Sequence, residues 1–164
     1  MNGEKKKGRI LVVDDEISLR EMLVIMLQRE GYFVDEASDG IDALSKIEAS
    51  NYDLIISDIQ MPKMNGIDLL RKIDQRNIDV TVMMITAFSS TEEAVEAMKL
   101  GAYDYITKPF KNDEIRLVVK NALERTKLQS ENRMLKQELG ERFSFKKLIG
   151  SSPAMKEMIA FLER

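Results

Sequence analysis

Residues 53–70 read DLIISDIQMPKMNGIDLL, and this stretch decides the fold. The run Leu54–Ser57 predicts a short strand buried on both faces of a sheet, because it lacks the alternation of a half-exposed strand. Met-Pro and Asn-Gly pairs then mark a loop, and Ile67–Arg76 predicts a helix. The stretch is therefore one βα unit of a parallel sheet, with Asp58 at the carboxyl end of its strand.

The same alternation of strand and helix repeats along the chain. Four more strands are predicted at Arg9–Val13, Tyr32–Ala37, Val80–Ile85 and Tyr103–Thr107. The other helices are predicted at Ile17–Glu30, at Gly40–Ala49, from Ser90-Thr91 to a stop at Gly101, and from near Asn112. Five βα units in strict alternation predict an α/β fold with a doubly wound parallel sheet. This pattern alone leaves the strand order open.

Polar residues lie at, or just before, the carboxyl ends of several of these strands. They are Asp14, Asp15, Asp58, Thr86, Tyr105 and Lys108. Because the carboxyl ends of parallel strands meet at one edge of the sheet, where ligands bind, we expect these side chains to converge. Three carboxylates, a hydroxyl and an ammonium group predict a site for a divalent cation and a phosphoryl group.

Each predicted polar group has a task in phosphoryl transfer. Clustered carboxylates repel one another, and Mg²⁺, which prefers oxygen ligands and keeps room for a phosphate oxygen, relieves that repulsion. Asp58 is the candidate nucleophile, since carboxylates form acyl phosphates. Lys108 supplies a second cation to the phosphoryl oxygens, and the hydroxyl of Thr86 supplies a donor.

Taken singly, these residues have simpler explanations. An Asp after a strand is often only a helix N-cap, a Lys-Pro pair is often a turn, and an aromatic such as Tyr105 in a strand is normally core packing. The joint placement at the ends of four strands favours a shared site over separate structural roles.

The composition excludes several classes of function. The net charge of −3 gives no electrostatic footprint for nucleic acid. The chain has no Cys and no His, which excludes thiolate chemistry and leaves any imidazole to a partner. No stretch is apolar for long enough to span a membrane, and the basic start lacks the apolar core of a secretory signal. We therefore expect a cytoplasmic protein that does not engage a membrane.

The last predicted helix is longer than a compact domain needs. Beyond Leu123 its apolar positions narrow to a heptad-like seam at Leu128, Asn132, Leu135 and Leu139. A polar residue at one core position is a device that fixes register in coiled coils, so we expect self-pairing, with a solvated linker helix as the alternative. The helix is predicted to end at Gly140.

A loop and a new helix are predicted after Gly140. Phe143–Phe145 and Leu148–Gly150 predict an extended loop, and Ser152-Pro153 predicts the start of a further helix. A helix with no room to bury itself indicates a longer protein. The predicted domains are therefore residues 1–123, a linker helix at 124–141 and the start of another domain at 142–164.

Four motifs together resemble the receiver domain of two-component response regulators. They are ILVVDDE, DLIISDIQMPKMNGIDLL, VMMITAFSS and GAYDYITKPF. The resemblance implies a flavodoxin-like (βα)5 fold with an extended C-terminal linker helix. It also implies that Asp58 accepts phosphate from a phosphohistidine on a sensor histidine kinase, so the chain is a regulatory phosphoacceptor and not an enzyme.

The resemblance assigns a role to each site residue. It implies that Asp15 ligates Mg²⁺ directly, that Asp14 acts partly through water, and that the backbone carbonyl of Gln60 completes a metal site shared with Asp58. Thr86 and Tyr105 match the switch residues, and Lys108 matches the phosphate-binding lysine. Lys108-Pro109 resembles the family's cis peptide.

The end of the chain resembles a narrower group. A long linker helix followed by LIGSSPAMKEM is similar to the entry into the AAA+ ATPase domain of NtrC-type sigma-54-dependent activators. The chain has no GxxxxGK[ST] loop, so it does not include the ATPase site itself. The resemblance implies a homodimer joined through the receiver face or the linker, and contacts with DNA and sigma-54 RNA polymerase made by other domains.

Two positions near the predicted phosphorylation site motivate a hypothesis about the lifetime of the phosphorylated form. Gln60 and Phe88 lie two residues beyond the predicted phosphorylation site and the switch Thr. In the family such positions influence dephosphorylation, and a bulky Phe88 shields an acyl phosphate from water. We hypothesise a long-lived phosphorylated form, in which case Phe88→Glu would lose phosphate faster.

Two other classes of function remain as alternatives. A Mg²⁺-dependent hydrolase of the haloacid dehalogenase type needs Asp-x-Asp after the first strand, but the sequence here is Asp14-Asp15-Glu16. A degenerate receiver that serves only as a dimerisation module is disfavoured by the intact Asp58, Thr86 and Lys108.

Overall fold

Strands and helices alternate strictly in the computed structural model, which describes residues 8–87 and 91–149, with side chains up to residue 141. The elements of the described chain are β1 (Arg9–Val13), α1 (Ile17–Arg29), β2 (Phe33–Ala37), α2 (Gly40–Ala49), β3 (Leu54–Asp58), α3 (Gly66–Gln75), β4 (Thr81–Thr86), α4 (Thr91–Lys99), β5 (Asp104–Thr107) and α5 (Asn112–Ile149). The predicted βα alternation is confirmed, with several of the strand and helix bounds shifted by one residue. The predicted cap at Ser90 and the side chain of Phe88 lie outside the described residues.

The five strands form one parallel sheet in the order β2-β1-β3-β4-β5. From β1 the chain first adds β2 on one side and then β3, β4 and β5 on the other. The point between β1 and β3, where the order changes sides, is where ligands of such sheets bind. Val13 of β1 is in register with Ser57 of β3, which brings the residues that follow them, Asp14 and Asp58, side by side. The flavodoxin-like order implied by the resemblance is confirmed, and it positions the candidate site.

Helices cover both faces of the sheet, as the apolar strands predict. Alternate residues of one strand enter different cores: Ile55 packs with residues of α2, α3 and α4, whereas Ile56 packs with residues of α1 and α5. Both side chains are almost completely buried. Because the side chains of a strand alternate between its two faces, a continuous apolar run is what a sheet covered on both faces requires.

Gly66, the first residue of α3, packs directly against the end of β3. A Cβ atom at this position would lie 2.2 Å from the backbone oxygen of Asp58. We expect Gly66→Ala to lower the free energy of unfolding by about 1–3 kcal/mol, because the chain must shift to admit the methyl group. Urea denaturation measures this effect. Gly140→Ala is the matched control, since no neighbouring atom lies within 4 Å of a Cβ at that position. If the Gly66→Ala variant were as stable as the Gly140→Ala variant, the close packing at Gly66 would impose no constraint.

The predicted helix end at Gly140 was wrong. Helix α5 continues to Ile149, through the segment that was expected to be an extended loop from Phe143. A glycine inside a helix costs only about 1 kcal/mol relative to Ala. Gly140 also lacks the positive φ that Gly31 and Gly101 adopt after α1 and α4, where the predicted stops are confirmed.

The chain divides into two compact units, residues 1–126 and 127–164. Within the described ranges, no helix has both the length and the apolar character that crossing a membrane requires. The predicted helix at Ser152-Pro153, and with it most of the predicted domain at 142–164, lies outside the described residues.

Candidate functional site

Three carboxylates meet at the carboxyl edge of the sheet. Asp14 and Asp15 follow β1, and Asp58 ends β3; oxygen atoms of the three side chains lie within 4.8 Å of one another. Asp14 is 2% exposed and Asp58 is 8% exposed, whereas Asp15 is exposed to solvent. The structure thus brings together the acidic residues that the sequence placed at the strand ends.

Lys108 joins two of these carboxylates. Its ammonium nitrogen lies 3.0 Å from Oδ2 of Asp58 and 3.2 Å from Oδ2 of Asp14, and its side chain is only 16% exposed. Its backbone N–H donates to the carbonyl of Thr86 at 2.8 Å, which ties the end of β5 to the end of β4. The peptide bond between Lys108 and Pro109 is cis, as the resemblance implied.

Asp14 is held by hydrogen bonds from several directions. Its N–H donates to the carbonyl of Ala37 at 3.2 Å, its Oδ1 accepts from the N–H of Glu16 at 2.9 Å, and its carbonyl accepts from Nη1 of Arg20 at 2.8 Å. Burial raises the pKa of the Asp14 carboxyl; the hydrogen bond from Glu16 opposes the rise, and the charge of Asp58 adds to it.

The pKa of Lys108 is raised by its acidic neighbours. Burial acts to lower it, but the hydrogen bond to Asp58 and the charges of Asp14 and Asp58 outweigh that effect. The ammonium group therefore stays charged at neutral pH and is available to pair with a further anion.

The raised pKa of Asp14 predicts how stability depends on pH when metal is removed by a chelator. Because the folded-state pKa lies above the unfolded-state value, the contribution of Asp14 is complete below the unfolded-state pKa and is lost as the pH rises through the folded-state pKa. Asp14→Asn removes this ionisation. The free energy of unfolding of the variant, minus that of the unchanged protein, should therefore grow as the pH rises through that window. Two parallel curves in urea titrations at a series of pH values would contradict the prediction.

The loop after β3 is organised around Asp58. The N–H of Gln60 donates to Oδ1 of Asp58 at 3.3 Å, and the hydroxyl of Ser57 donates to the carbonyl of Asp58 at 2.9 Å. The N–H of Gly66 donates to the carbonyl of Ile59 at 2.7 Å, which closes the loop. These bonds fix both the backbone and the carboxylate of Asp58.

The two predicted switch residues lie on neighbouring strands. Thr86 ends β4, is 1% exposed, and is in register with Thr107 of β5. Tyr105 lies two residues before Thr107, so it shares a face of the sheet with Thr86. It is half-buried and packs against the core beneath α2, α3 and α4.

The donor set fits Mg²⁺. Ligand oxygens on opposite sides of an octahedral Mg²⁺ lie about 4.2 Å apart, which is twice the Mg–O distance. The carboxylate oxygens of Asp14, Asp15 and Asp58 already lie within 4.8 Å of one another. This spacing is close to that span, so the three carboxylates provide oxygen donors of the kind that Mg²⁺ prefers.

Sequence reasoning missed two residues that support the site. Arg20 binds the carbonyl of Asp14, and Gly66 admits the backbone of Asp58. Arg20 carried a usable signal, because a cation in the first turns of a helix opposes the helix dipole and needs a local partner. The close approach at Gly66 depends on tertiary packing that the sequence does not display.

Comparison with known proteins identifies the family. Residues 10–120 match the family described as response regulator receiver domain. The chain is 36% identical to the regulatory protein AtoC of Escherichia coli K12, over 92% of this chain and 33% of that protein. It is 39% identical to the transcriptional regulatory protein ZraR of Klebsiella oxytoca, over 97% of this chain and 34% of that protein. The crystal structure of NtrX from Brucella abortus is 37% identical, with a TM-score of 0.73 over 79% of this chain and 30% of that one.

The chain therefore belongs to the response regulator receiver family. A phosphorylation-based switch is the general function of this family; its receivers interact with sensor kinases and bind Mg²⁺ at an acidic pocket. The chain spans about a third of the length of these curated relatives. The family match favours the receiver over the hydrolase of the haloacid dehalogenase type.

Proposed function

We propose that Asp58 accepts a phosphoryl group from a phosphohistidine of a sensor histidine kinase, and that Mg²⁺ is held by Asp14, Asp15, Asp58 and the backbone carbonyl of Gln60. One observation carries this proposal: the ammonium group of Lys108 lies within 3.2 Å of two buried carboxylates, beside a third. Phosphoryl transfer requires positive charge around the phosphoryl oxygens. Beside Asp58, Lys108 provides one positive charge, and the acidic cluster can bind a second.

The reaction forms one bond and breaks one. A carboxylate oxygen of Asp58 attacks phosphorus, and the bond from phosphorus to the histidine nitrogen of the kinase breaks with its electrons returning to the imidazole. Lys108 pairs with the phosphoryl oxygens, and the fixed loop from Asp58 to Gly66 holds the nucleophile in place. Asp14, Asp15 and Asp58 would hold Mg²⁺, which when bound would supply positive charge to the phosphoryl oxygens. On this proposal the chain is a regulatory phosphoacceptor, whose only catalysis is its own phosphorylation and its slow autodephosphorylation.

The switch follows from the charge that phosphorylation adds. A phosphoryl group brings about 1.5 to 2 negative charges to Asp58, and Thr86 moves toward it while Tyr105 fills the vacated space. Among the described residues of α4 only Ala97 is fully buried, so this helix has little packing to resist displacement. A nearly complete shift needs about 5.5 kcal/mol, which a few charge-assisted hydrogen bonds supply.

The output of the proposed switch passes through α5. Leu128, Leu135 and Leu139 are each at least 54% exposed in this helix, which leaves the predicted heptad seam open to a second copy of the chain. We take residues 1–123 as the receiver, 124–141 as the paired linker and 142–164 as the start of an AAA+ domain. The full protein then acts in the cytoplasm on DNA and sigma-54 RNA polymerase through its other domains.

Phosphorylation with a small acyl phosphate tests the switch. With Mg²⁺ present, we expect the amide NMR signals of Thr86, Tyr105 and α4 to shift, and the sedimentation coefficient to change. Asp58→Asn, which keeps the shape of the side chain, should show neither change. Signals near Asp58 that shift while those of Thr86 and Tyr105 stay fixed would contradict the switch, and unchanged spectra throughout would favour the degenerate dimerisation module.

A further inference from the structure

Arg20 lies behind the acidic site and contacts two separate elements. It belongs to the start of α1, and its side chain is only 13% exposed. Nη1 donates to the backbone carbonyl of Asp14 at 2.8 Å, and Nε pairs with Oε1 of Glu36 near the end of β2 at 3.1 Å. The planar guanidinium thus joins the β1–α1 loop to the edge strand of the sheet.

The position of Arg20 is unfavourable without these partners. It is the fourth residue of α1, near the positive end of the helix dipole, where a cation is disfavoured. Glu36 provides the compensating charge, and its own backbone is fixed because its carbonyl accepts a hydrogen bond from Lys46 of α2. The guanidinium is therefore anchored to Glu36 of β2, a strand that pairs with β1 and is bonded to Lys46 of α2.

The bond to Asp14 controls the peptide unit between two predicted metal ligands. The carbonyl of Asp14 and the N–H of Asp15 belong to one rigid plane. The N–H of Asp14 is already bonded to Ala37, so a bond to its carbonyl fixes the orientation of the next plane. That plane is attached to the Cα atom of Asp15, so fixing it restricts the directions in which the exposed side chain of Asp15 can leave the backbone.

We infer that Arg20, anchored by Glu36, is a positioning residue that holds Asp14 and Asp15 in place for Mg²⁺. This inference rests on the proposed function, because it concerns the same metal site. The effect of removing Arg20 on Mg²⁺ affinity distinguishes positioning from charge, because the two predict opposite changes. Removing a nearby cation should strengthen Mg²⁺ binding by simple Coulomb attraction, whereas removing a positioning residue should weaken it.

Calorimetric titration with MgCl₂ separates the two effects. We expect Arg20→Gln to raise the Mg²⁺ dissociation constant about tenfold, which is the usual effect of losing a residue that orients metal ligands. Arg20→Lys and Glu36→Gln each keep part of the arrangement and should show smaller losses. Arg29→Gln removes the same charge from an exposed position at the end of α1 and should leave the affinity unchanged.

Unchanged or tighter Mg²⁺ binding by Arg20→Gln would overturn the inference and leave the proposed function standing. If the unchanged protein bound no Mg²⁺, the inference and the proposed metal site would both fall. Urea denaturation reports whether each variant folds. Should Arg20→Gln fail to fold, Arg20→Lys carries the test, because it keeps the charge and alters only the guanidinium contacts; an unaltered affinity in that variant would overturn the inference.

Discussion

Replacing Lys108 by Met is expected to slow the phosphorylation of Asp58 by at least about a hundredfold. The ammonium group lies 3.0 Å from the carboxylate that receives the phosphoryl group. Losing one preorganised group that stabilises charge in a transition state typically costs a factor of 10² to 10³. The rate is measured as the increase of phosphorylated protein with time, by intact mass, with a small acyl-phosphate donor and saturating Mg²⁺.

The same variant separates phosphoryl transfer from metal binding. Lys108 pairs with Asp14 and Asp58, which are also proposed Mg²⁺ ligands, so removing it takes away a competing cation. We therefore expect Mg²⁺ to bind Lys108→Met at least as tightly as it binds the unchanged protein. Lys111→Met, at a nearby exposed position, is the matched control and should phosphorylate normally. Equal rates for the two variants would show that Lys108 has no part in the transfer.

Replacing Leu135 by Asp is expected to weaken self-association by about a hundredfold or more. Leu135 is 59% exposed and lies in the centre of the predicted seam of α5. In a paired helix this position faces the partner. Burying an unpaired carboxylate there costs several kcal/mol. A loss of about 2.7 kcal/mol in binding free energy already corresponds to a hundredfold change in affinity. Sedimentation equilibrium at a series of concentrations measures the dissociation constant.

The control for Leu135 uses the opposite side of the same helix. Gln137 is exposed and lies on the outer face of the heptad, so Gln137→Asp adds the same charge without entering the seam. It should associate like the unchanged protein. If Leu135→Asp associated equally well, the linker would be a solvated helix and any dimer would form through the receiver alone.

The fold was largely predictable because its strands carry an unambiguous signal. A run such as Leu54–Ser57 is short, apolar and followed by turn residues, and five such runs alternate with helices. The bounds of β2 and β4 shifted by one residue at their first positions, Tyr32 and Val80, where pairing in the sheet and not residue type decides the start. The end of α5 was missed because Gly140 is tolerated inside a helix.

The candidate site was predictable only as a set. Strand ends place Asp14, Asp58 and Lys108 at one edge of any parallel sheet, but the contact between Lys108 and the two carboxylates depends on the strand order, which periodicity does not encode. The supporting contacts of Arg20 and Gly66 join residues through backbone atoms. Backbone atoms are common to all residue types, so the sequence does not identify the partner in either contact, although the position of Arg20 near the start of a helix indicates that it needs one.

The role of Asp58 is tested most directly by the intact mass of the protein after incubation with Mg²⁺ and a small acyl phosphate, beside the same measurement on Asp58→Asn. We expect one added phosphoryl group in the unchanged protein, none when a chelator removes Mg²⁺, and none in the variant. Equal phosphorylation of Asp58→Asn, or no phosphorylation of the unchanged protein with any acyl-phosphate donor, would contradict the assignment of Asp58 as the phosphoacceptor.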